Sequence, residues 1–368
     1  MPTTLRTRVL PLDAAKLTAS DVDRWRALVD AAVEPNPFFE PVLALAASEH
    51  LGERGVSLLV VEDDAGWRAC MPVRANKIER VVPGLRTWGH LYCFLGTPLL
   101  DADHAVPAAR SLLGIALASR RPLTLATLTD GGPASSAIDQ AAADLGLVTI
   151  AETRHERAFL ERRPAGDYLD SMRSHRRREL DRLGRRLEAE LDCPLSVVDE
   201  AGQDAAVDRF LELERSGWKG RADTALGSSA GHAAFFRTVC RAFAAEGRLQ
   251  LLALSADKRT VAMKCNLYAG EGGFCFKIAY DEELARFSPG VQLERENVRL
   301  FHHARSERWQ DSCADPENGM INRLWPDRRR IRTTVLARRG VRAEASRHGI
   351  RAVRAIRESE RRKSSTRS

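Results

Sequence analysis

The sequence predicts an α/β protein of two domains with mixed central sheets. Three observations carry that prediction. At 368 residues the chain exceeds one ordinary domain, and two is the natural division. Apolar, strand-like runs alternate with amphipathic helical stretches in both halves. A composition of 44% hydrophobic and 29% charged residues is globular and supplies enough apolar side chains for two cores.

In the first half, residues 21–51 read as helix, interrupted at Glu34-Pro35-Asn36-Pro37, where two prolines force extended backbone. Val56–Glu62 is a nearly continuous apolar strand, turned at Asp63-Asp64-Ala65-Gly66 into a second strand from Trp67 to Arg74. Leu91–Leu95 is a third strand candidate, closed by Gly96-Thr97-Pro98. A helix over 104–119, a strand at Leu123–Leu128, a helix over 134–145 and a strand near Arg157–Leu160 follow. The boundary falls at Arg162-Arg163-Pro164-Ala165-Gly166, giving domains 1–163 and 164–340 and a basic tail, 341–368.

The second half opens with a long amphipathic helix, 167–191, whose charged face carries Arg173, Arg177, Arg178, Arg182, Arg185 and Arg186. A solvated face and a phosphate-binding face both account for those arginines. A strand at Leu195–Val198 and a helix over 203–215 lead into a break at Ser216-Gly217-Trp218-Lys219-Gly220-Arg221, followed by a helix over 231–245. Leu249–Ser255 and Thr260–Tyr268 form a hairpin, and Phe274–Tyr280 adds a third strand. Ser288 then reads as the N-cap and Pro289 as the first residue of a helix. A strand at Trp309–Cys313, a short helix over 317–325 and a strand at Ile331–Ala337 complete the domain.

The net charge of +7 is concentrated in the tail, which from Arg338 onward holds eleven Lys or Arg against three Glu. That net of +8 leaves −1 for the preceding residues, which argues against a nucleic-acid enzyme with a basic channel through its core. Ile350, Val353 and Ile356 mark one apolar edge of the tail, consistent with a surface helix on an anionic membrane or with a disordered solubilising end. Seven cysteines without paired spacing read as reduced thiols of a cytosolic protein. No stretch has the length of a membrane span, and adjacent His302 and His303 face different sides of a helix, so no metal site is expected.

The chemistry concentrates between Phe274 and Gln292. Ser288, Pro289, Gly290, Val291 and Gln292 open a helix at the end of a strand, where free N–H groups and the helix dipole form an anion site. An ordinary capped helix is the plainer alternative. Asp311 stands between Trp309 and Cys313, where burial raises a carboxyl toward the range of a base; otherwise it caps the next turn. Lys277 lies in a strand between Phe276 and Ile278, placed to bind an oxyanion or phosphate, or else to snorkel to the surface. Tyr280 is a candidate proton donor or a core tyrosine, and Asp281 either orients Lys277 or is a plain loop aspartate. Trp218, Lys219 and Arg221 suggest a lid over an acidic or lipidic acceptor, or simple loop packing.

The order of elements from 167 to 337 resembles the GNAT superfamily of acyl-CoA-dependent transferases. The closer resemblance is to its FemAB-like group, annotated near cellulose and exopolysaccharide synthesis. It rests on Ser216-Gly217-Trp218-Lys219-Gly220-Arg221, Phe276-Lys277-Ile278-Ala279-Tyr280-Asp281, Ala285-Arg286-Phe287-Ser288-Pro289-Gly290 and Asp311-Ser312-Cys313-Ala314 with Met320–Trp325. Asn36-Pro37-Phe38-Phe39-Glu40-Pro41 and Leu95-Gly96-Thr97-Pro98 extend it into the first half. The resemblance implies two tandem GNAT-like domains, with an acyl-CoA co-substrate inserted between splayed strands of the second. The superfamily's basic residue followed by spaced glycines is absent here, replaced by Ser288-Pro289-Gly290, so aminoacyl-tRNA is the alternative donor. The Trp-Lys-Gly-Arg and Ser-Pro-Gly patterns are also similar to those of bacterial ceramide synthases. That implies a long-chain sphingoid base as amine acceptor and a peripheral place at the inner membrane face. A non-catalytic protein of polysaccharide export is the remaining alternative.

Overall fold

A computed structural model describes residues 4–164, 174–351 and 353. The segment of the long arginine-rich helix before Ser174, including Arg173, lies outside the described residues, as does most of the tail after 351.

In chain order the elements are β1 (Arg6–Pro11), α1 (Ala19–Ala31), α2 (Pro41–His50), β2 (Val56–Glu62), β3 (Trp67–Ile78), β4 (Val82–Thr87), β5 (Leu99–Leu100), α3 (Ala105–Ala116), β6 (Leu123–Thr129), α4 (Pro133–Asp144) and β7 (Leu147–Glu161). There follow α5 (Ser174–Leu191), β8 (Leu195–Asp199), α6 (Asp204–Ser216), α7 (Trp218–Arg221), α8 (Ala230–Ala245), β9 (Leu249–Ala256), β10 (Arg259–Ala269) and β11 (Gly272–Tyr280). The chain ends with α9 (Pro289–Ala304), β12 (Trp309–Asp311), α10 (Gly319–Leu324), β13 (Asp327–Arg338) and a helix α11 over 341–351.

Two compact units result: Met1–Ser48 with Glu53–Glu156 and Arg330–Ser368, and Arg157–Arg329 with Glu49–Gly52. The division therefore falls within β7 and β13 and returns the end of the chain to the first unit. In the first unit the strand order is β1-β2-β3-β4-β6-β13-β7, with α3 and α4 packing a core of Leu112, Leu113, Ile138 and Leu125. The β1–β2, β2–β3, β3–β4 and β6–β13 pairs are antiparallel, whereas β4 and β6 pair in parallel, at Leu85 with Leu123 and Arg86 with Thr124. The second unit has the order β7-β12-β11-β10-β9-β8. It too contains one parallel pair, β11 with β12, joined only at Gly272–Trp309, Gly273–Gln310 and Phe274–Asp311. Phe210 of α6 meets Phe236 of α8 in a tilted ring contact at 5.0 Å, and Phe236 stacks on Phe276 of β11.

Three expectations need correction. Leu91–Leu95 is no strand: β3 runs on to Ile78 and the next ladder partner is β4. Pro83 and Gly84 hide β4 in the sequence, and Gly84 is there because a Cβ would lie 2.9 Å from Pro122 O. The tail is ordered through 351, because Ala343 and Ile350 are buried with Ile78, Ile150, Val335 and Ala337. Ile350 is thereby withdrawn from any membrane-facing edge. Among the described residues no helix is long and apolar enough to cross a membrane, and the seven cysteines are free thiols.

Candidate functional site

In the second unit, β11 continues from Cys275 to Tyr280 after its short parallel pairing with β12 has ended at Asp311. The two strands part there. On its other side β11 pairs with β10, and the register slips: Cys265 faces Lys277 while Asn266 faces Cys275. Phe276 is thus the extra residue of a β-bulge, a device that re-aims side chains beside functional sites. Its ring stacks on Phe236 of α8 at 6.2 Å. Lys277, the next residue, feels Glu214 of α6 and Lys219 of α7, so the bulge turns two consecutive side chains toward one helical layer.

Lys277 is half-buried. Burial is the main cause lowering its ammonium to about 8, Lys219 adds to the fall, and Glu214 works against it. Glu214, itself 3% exposed, takes Lys219 Nζ at 2.8 Å and the Leu226 N–H at 2.8 Å. Lys219 Nζ also reaches Ile278 O at 3.4 Å. Leu213, Glu214, Gly217, Lys219, Tyr280 and Glu282 line a depression of about 30 Å³ at the end of β11. The sequence-predicted Lys219 and Tyr280 therefore do meet, with Lys277 in the same electrostatic neighbourhood.

The expected lid is different in kind. Residues 218–221 form one helical turn rather than a loop, and both cations are consumed internally: Lys219 by Glu214, Arg221 by Glu282. Gly220 permits the turn, since a Cβ there would fall on Arg215 O. The side chain of Trp218 lies outside the described part of the structure.

Asp311 also departs from expectation. Burial pushes its carboxyl up, but the guanidiniums of Arg157 and Arg329 and the Cys313 N–H outweigh that push, and the net shift is downward. The distances are 2.6 Å to Arg157 Nη2, 2.9 Å to Arg329 Nη1 and 2.9 Å to the Cys313 N–H. A carboxylate so held is a poor proton acceptor, and it caps the next turn as the plainer reading had it. Asp281 is likewise committed elsewhere. It accepts from the Glu283 N–H at 3.0 Å, at the start of the 3₁₀ turn Glu282–Phe287, and pairs with Arg259 at 2.6 Å.

At the start of α9, Ser288 has φ of 55°, a left-handed conformation rare for a residue with a Cβ, and its hydroxyl caps nothing. That backbone turns the Ser288 carbonyl into the helix, where it accepts from the Val291 and Gln292 N–H groups at 2.9 and 3.1 Å. The Gln292 side chain donates to Leu180 O. Of the three amides expected to be open, only that of Gly290 lacks an acceptor among the described residues. Gly290 still keeps its approach clear, with Tyr280 Cδ1 3.4 Å from where a Cβ would stand.

Sequence reasoning missed a buried polar core beside this site. Lys264 and Glu294 pair at 2.8 Å, and Glu294 accepts from Asn297 Nδ2 at 2.9 Å and from Trp325 Nε1 at 3.1 Å. Asn297 also binds Asn266 and Gln310. The available signal was a lysine inside an otherwise apolar strand, Met263-Lys264-Cys265.

A short parallel pair that splays, a bulge at the point of divergence and a helix starting beyond the strand end define a GNAT-type acyltransferase unit. The comparisons agree. Residues 174–311 match the model described as the acetyltransferase (GNAT) domain. No curated protein matches the chain in sequence. The fold as a whole is similar to that of FemX, with TM-score 0.56 at 10% identity over 91% of this chain and 95% of the other. It is similar to the C-terminal domain of a putative lysylphosphatidylglycerol synthetase from Agrobacterium fabrum, with TM-score 0.53 at 10% identity over 88% and 94%. It is similar also to L-PGS from Bacillus licheniformis, with TM-score 0.51 at 11% identity over 91% and 97%. The chain has the tandem, FemAB-like GNAT fold.

Proposed function

We propose that the second unit transfers an acyl group from the thioester of an acyl-CoA to an amine. The observation that carries this is Lys277, placed by the bulge at the parting of β11 and β12 with an ammonium lowered to about 8. Near neutrality a useful fraction of that side chain is the free amine, so it takes the proton from the acceptor's ammonium. The acceptor nitrogen then attacks the acyl carbon, the C–S bond breaks, and the thiolate leaves with a proton. Tyr280 stands at the same strand end as the donor to sulfur. Asp311 has no part in the proton transfer and holds the strand ends through Arg157 and Arg329.

For the acceptor we keep the long-chain sphingoid base that the Trp218–Arg221 and Ser288–Gly290 patterns imply. Pure protein incubated with sphinganine and acyl-CoAs of varied length should then give an amide and free CoA. No amide with any chain length rules out this acceptor. One observation favours a second reading: with Val291 and Gln292 engaged, the start of α9 offers little grip for a diphosphate. An aminoacyl-tRNA donor, recognised over a wider surface, needs less from that point. Aminoacyl transfer from charged tRNA to an amine, with steep salt dependence of binding, would establish it in place of the first.

A further inference from the structure

The first unit contains a cavity of about 370 Å³, within the size range of small-molecule sites. It opens where β4 parts from β6 after the two-residue parallel pairing, the place in this unit that corresponds to the parting of β11 and β12 in the other. Its wall is fixed by backbone. Thr87 Oγ1 accepts the Ala126 N–H at 2.9 Å, and the Gly96 N–H donates to Thr127 O at 3.0 Å. Gly96 is obligatory there, because a Cβ would sit 2.3 Å from Ala126 O.

The lining is rich in donors. Arg74 and Arg86 are direct cross-strand partners on β3 and β4, an arrangement that repels. Glu53 pairs with Arg74 at 2.5 Å, whereas Arg86 has no ion-pair partner among the described residues. Trp88 is 1% exposed, and its buried indole N–H has no acceptor among the described residues. His90 Nδ1 accepts the Tyr92 N–H at 3.3 Å. Burial, then Arg74, lowers His90 to about 3, so the ring is neutral and the positive charge comes from the arginines. A repelling pair of cations, half-compensated, beside an orphaned buried donor is costly unless an acceptor-only group fills the space.

We infer that this cavity binds a small molecule bearing an oxyanion, a phosphate monoester or a carboxylate, with Arg86 and the Trp88 indole N–H as its principal contacts. The site is separate from the transfer chemistry and is tested by binding alone.

Calorimetry and thermal shift on the full chain, with inorganic phosphate, phosphoserine and succinate as probes, test it. At least one probe should bind and raise the melting temperature, and the preferred probe distinguishes phosphate from carboxylate recognition. Arg86→Gln should weaken that probe by about tenfold to a hundredfold, the loss of a charge-assisted hydrogen bond. Trp88→Phe keeps the ring and removes the donor, and should weaken it by about fivefold. No binding of any probe at millimolar concentration, or binding that both variants leave unchanged in a folded protein, overturns the inference.

Discussion

Arg157 Nη2 lies 2.6 Å from Asp311 Oδ2, with 4% of the arginine side chain and none of the aspartate accessible to solvent. Arg329 reaches the same oxygen at 2.9 Å. The pair joins the end of β7 to β12, at the point where β12 stops and β11 runs on. Two guanidiniums around one buried carboxylate make a rigid end to the splayed strands, and nothing in that arrangement accepts a proton at neutral pH.

Replacing this carboxylate should therefore harm the fold before it harms the chemistry. Asp311→Asn leaves two buried cations without their counter-charge and should cost about 3–5 kcal/mol in urea unfolding at pH 7. Its folded pKa lies below the unfolded value of about 3.9, so the stabilisation is complete above that pH. It is lost as pH falls through the lower, folded value. The wild-type advantage over Asp311→Asn should hold from neutrality down to about pH 4 and shrink only in stronger acid.

Lys277 gives the opposite sign. Its folded pKa, about 8, is below the unfolded value, so between them the unfolded chain binds more protons and stability rises with pH. Lys277→Met removes a desolvated cation from beside Phe276 and should raise the melting temperature at pH 7. The same variant should slow acyl transfer by about a hundredfold to ten-thousandfold, and the wild-type rate should climb through pH 8 to a plateau. A rate that stays flat across that range, with Lys277→Met active, removes the lysine from the reaction.

Much of the architecture was legible because it rests on local patterning. The hairpins around Asp63–Gly66 and Asp257–Lys258 and the helix start at Pro289 carry their own turn and cap chemistry. What stayed hidden depends on partners distant in sequence. The bulge at Phe276 is a mismatch between two strands, invisible in either alone. The low pKa of Asp311 needs Arg157 and Arg329, so the rule that burial raises a carboxyl gave the wrong direction. Ser288 is the N-cap residue that the sequence suggested, but its hydroxyl makes no capping bond, and its left-handed backbone spends two of the amides on its own carbonyl.

The end of the chain makes a separate test of packing. Ile350 is 1% exposed and sits with Ile78, Ile150 and Val335 in the first unit. Ile350→Ala should cost about 2–5 kcal/mol, measured by thermal or urea unfolding. Vesicle binding by the basic residues, if it occurs, should survive this change, because Ile350 is already buried in protein. A stability equal to wild type would mean that α11 does not dock as described.

Gly290 separates stability from function most cleanly. It is the second residue of α9, and the place of its missing Cβ lies 3.4 Å from Tyr280 Cδ1 and 3.8 Å from Ile278 Cδ1. Those are ordinary contact distances, so Gly290→Ala fits without displacing either side chain. A helical alanine also loses less backbone entropy than glycine, by about 0.5–1 kcal/mol, so the melting temperature should hold or rise slightly. The added methyl group nevertheless stands over the one open amide at the end of β11. A donor that uses this amide should show a raised KM, with kcat changed much less, since the group binds the donor and does not move a proton. An unchanged KM for acyl-CoA in Gly290→Ala would mean that the donor is held elsewhere, and it would shift the balance toward aminoacyl-tRNA.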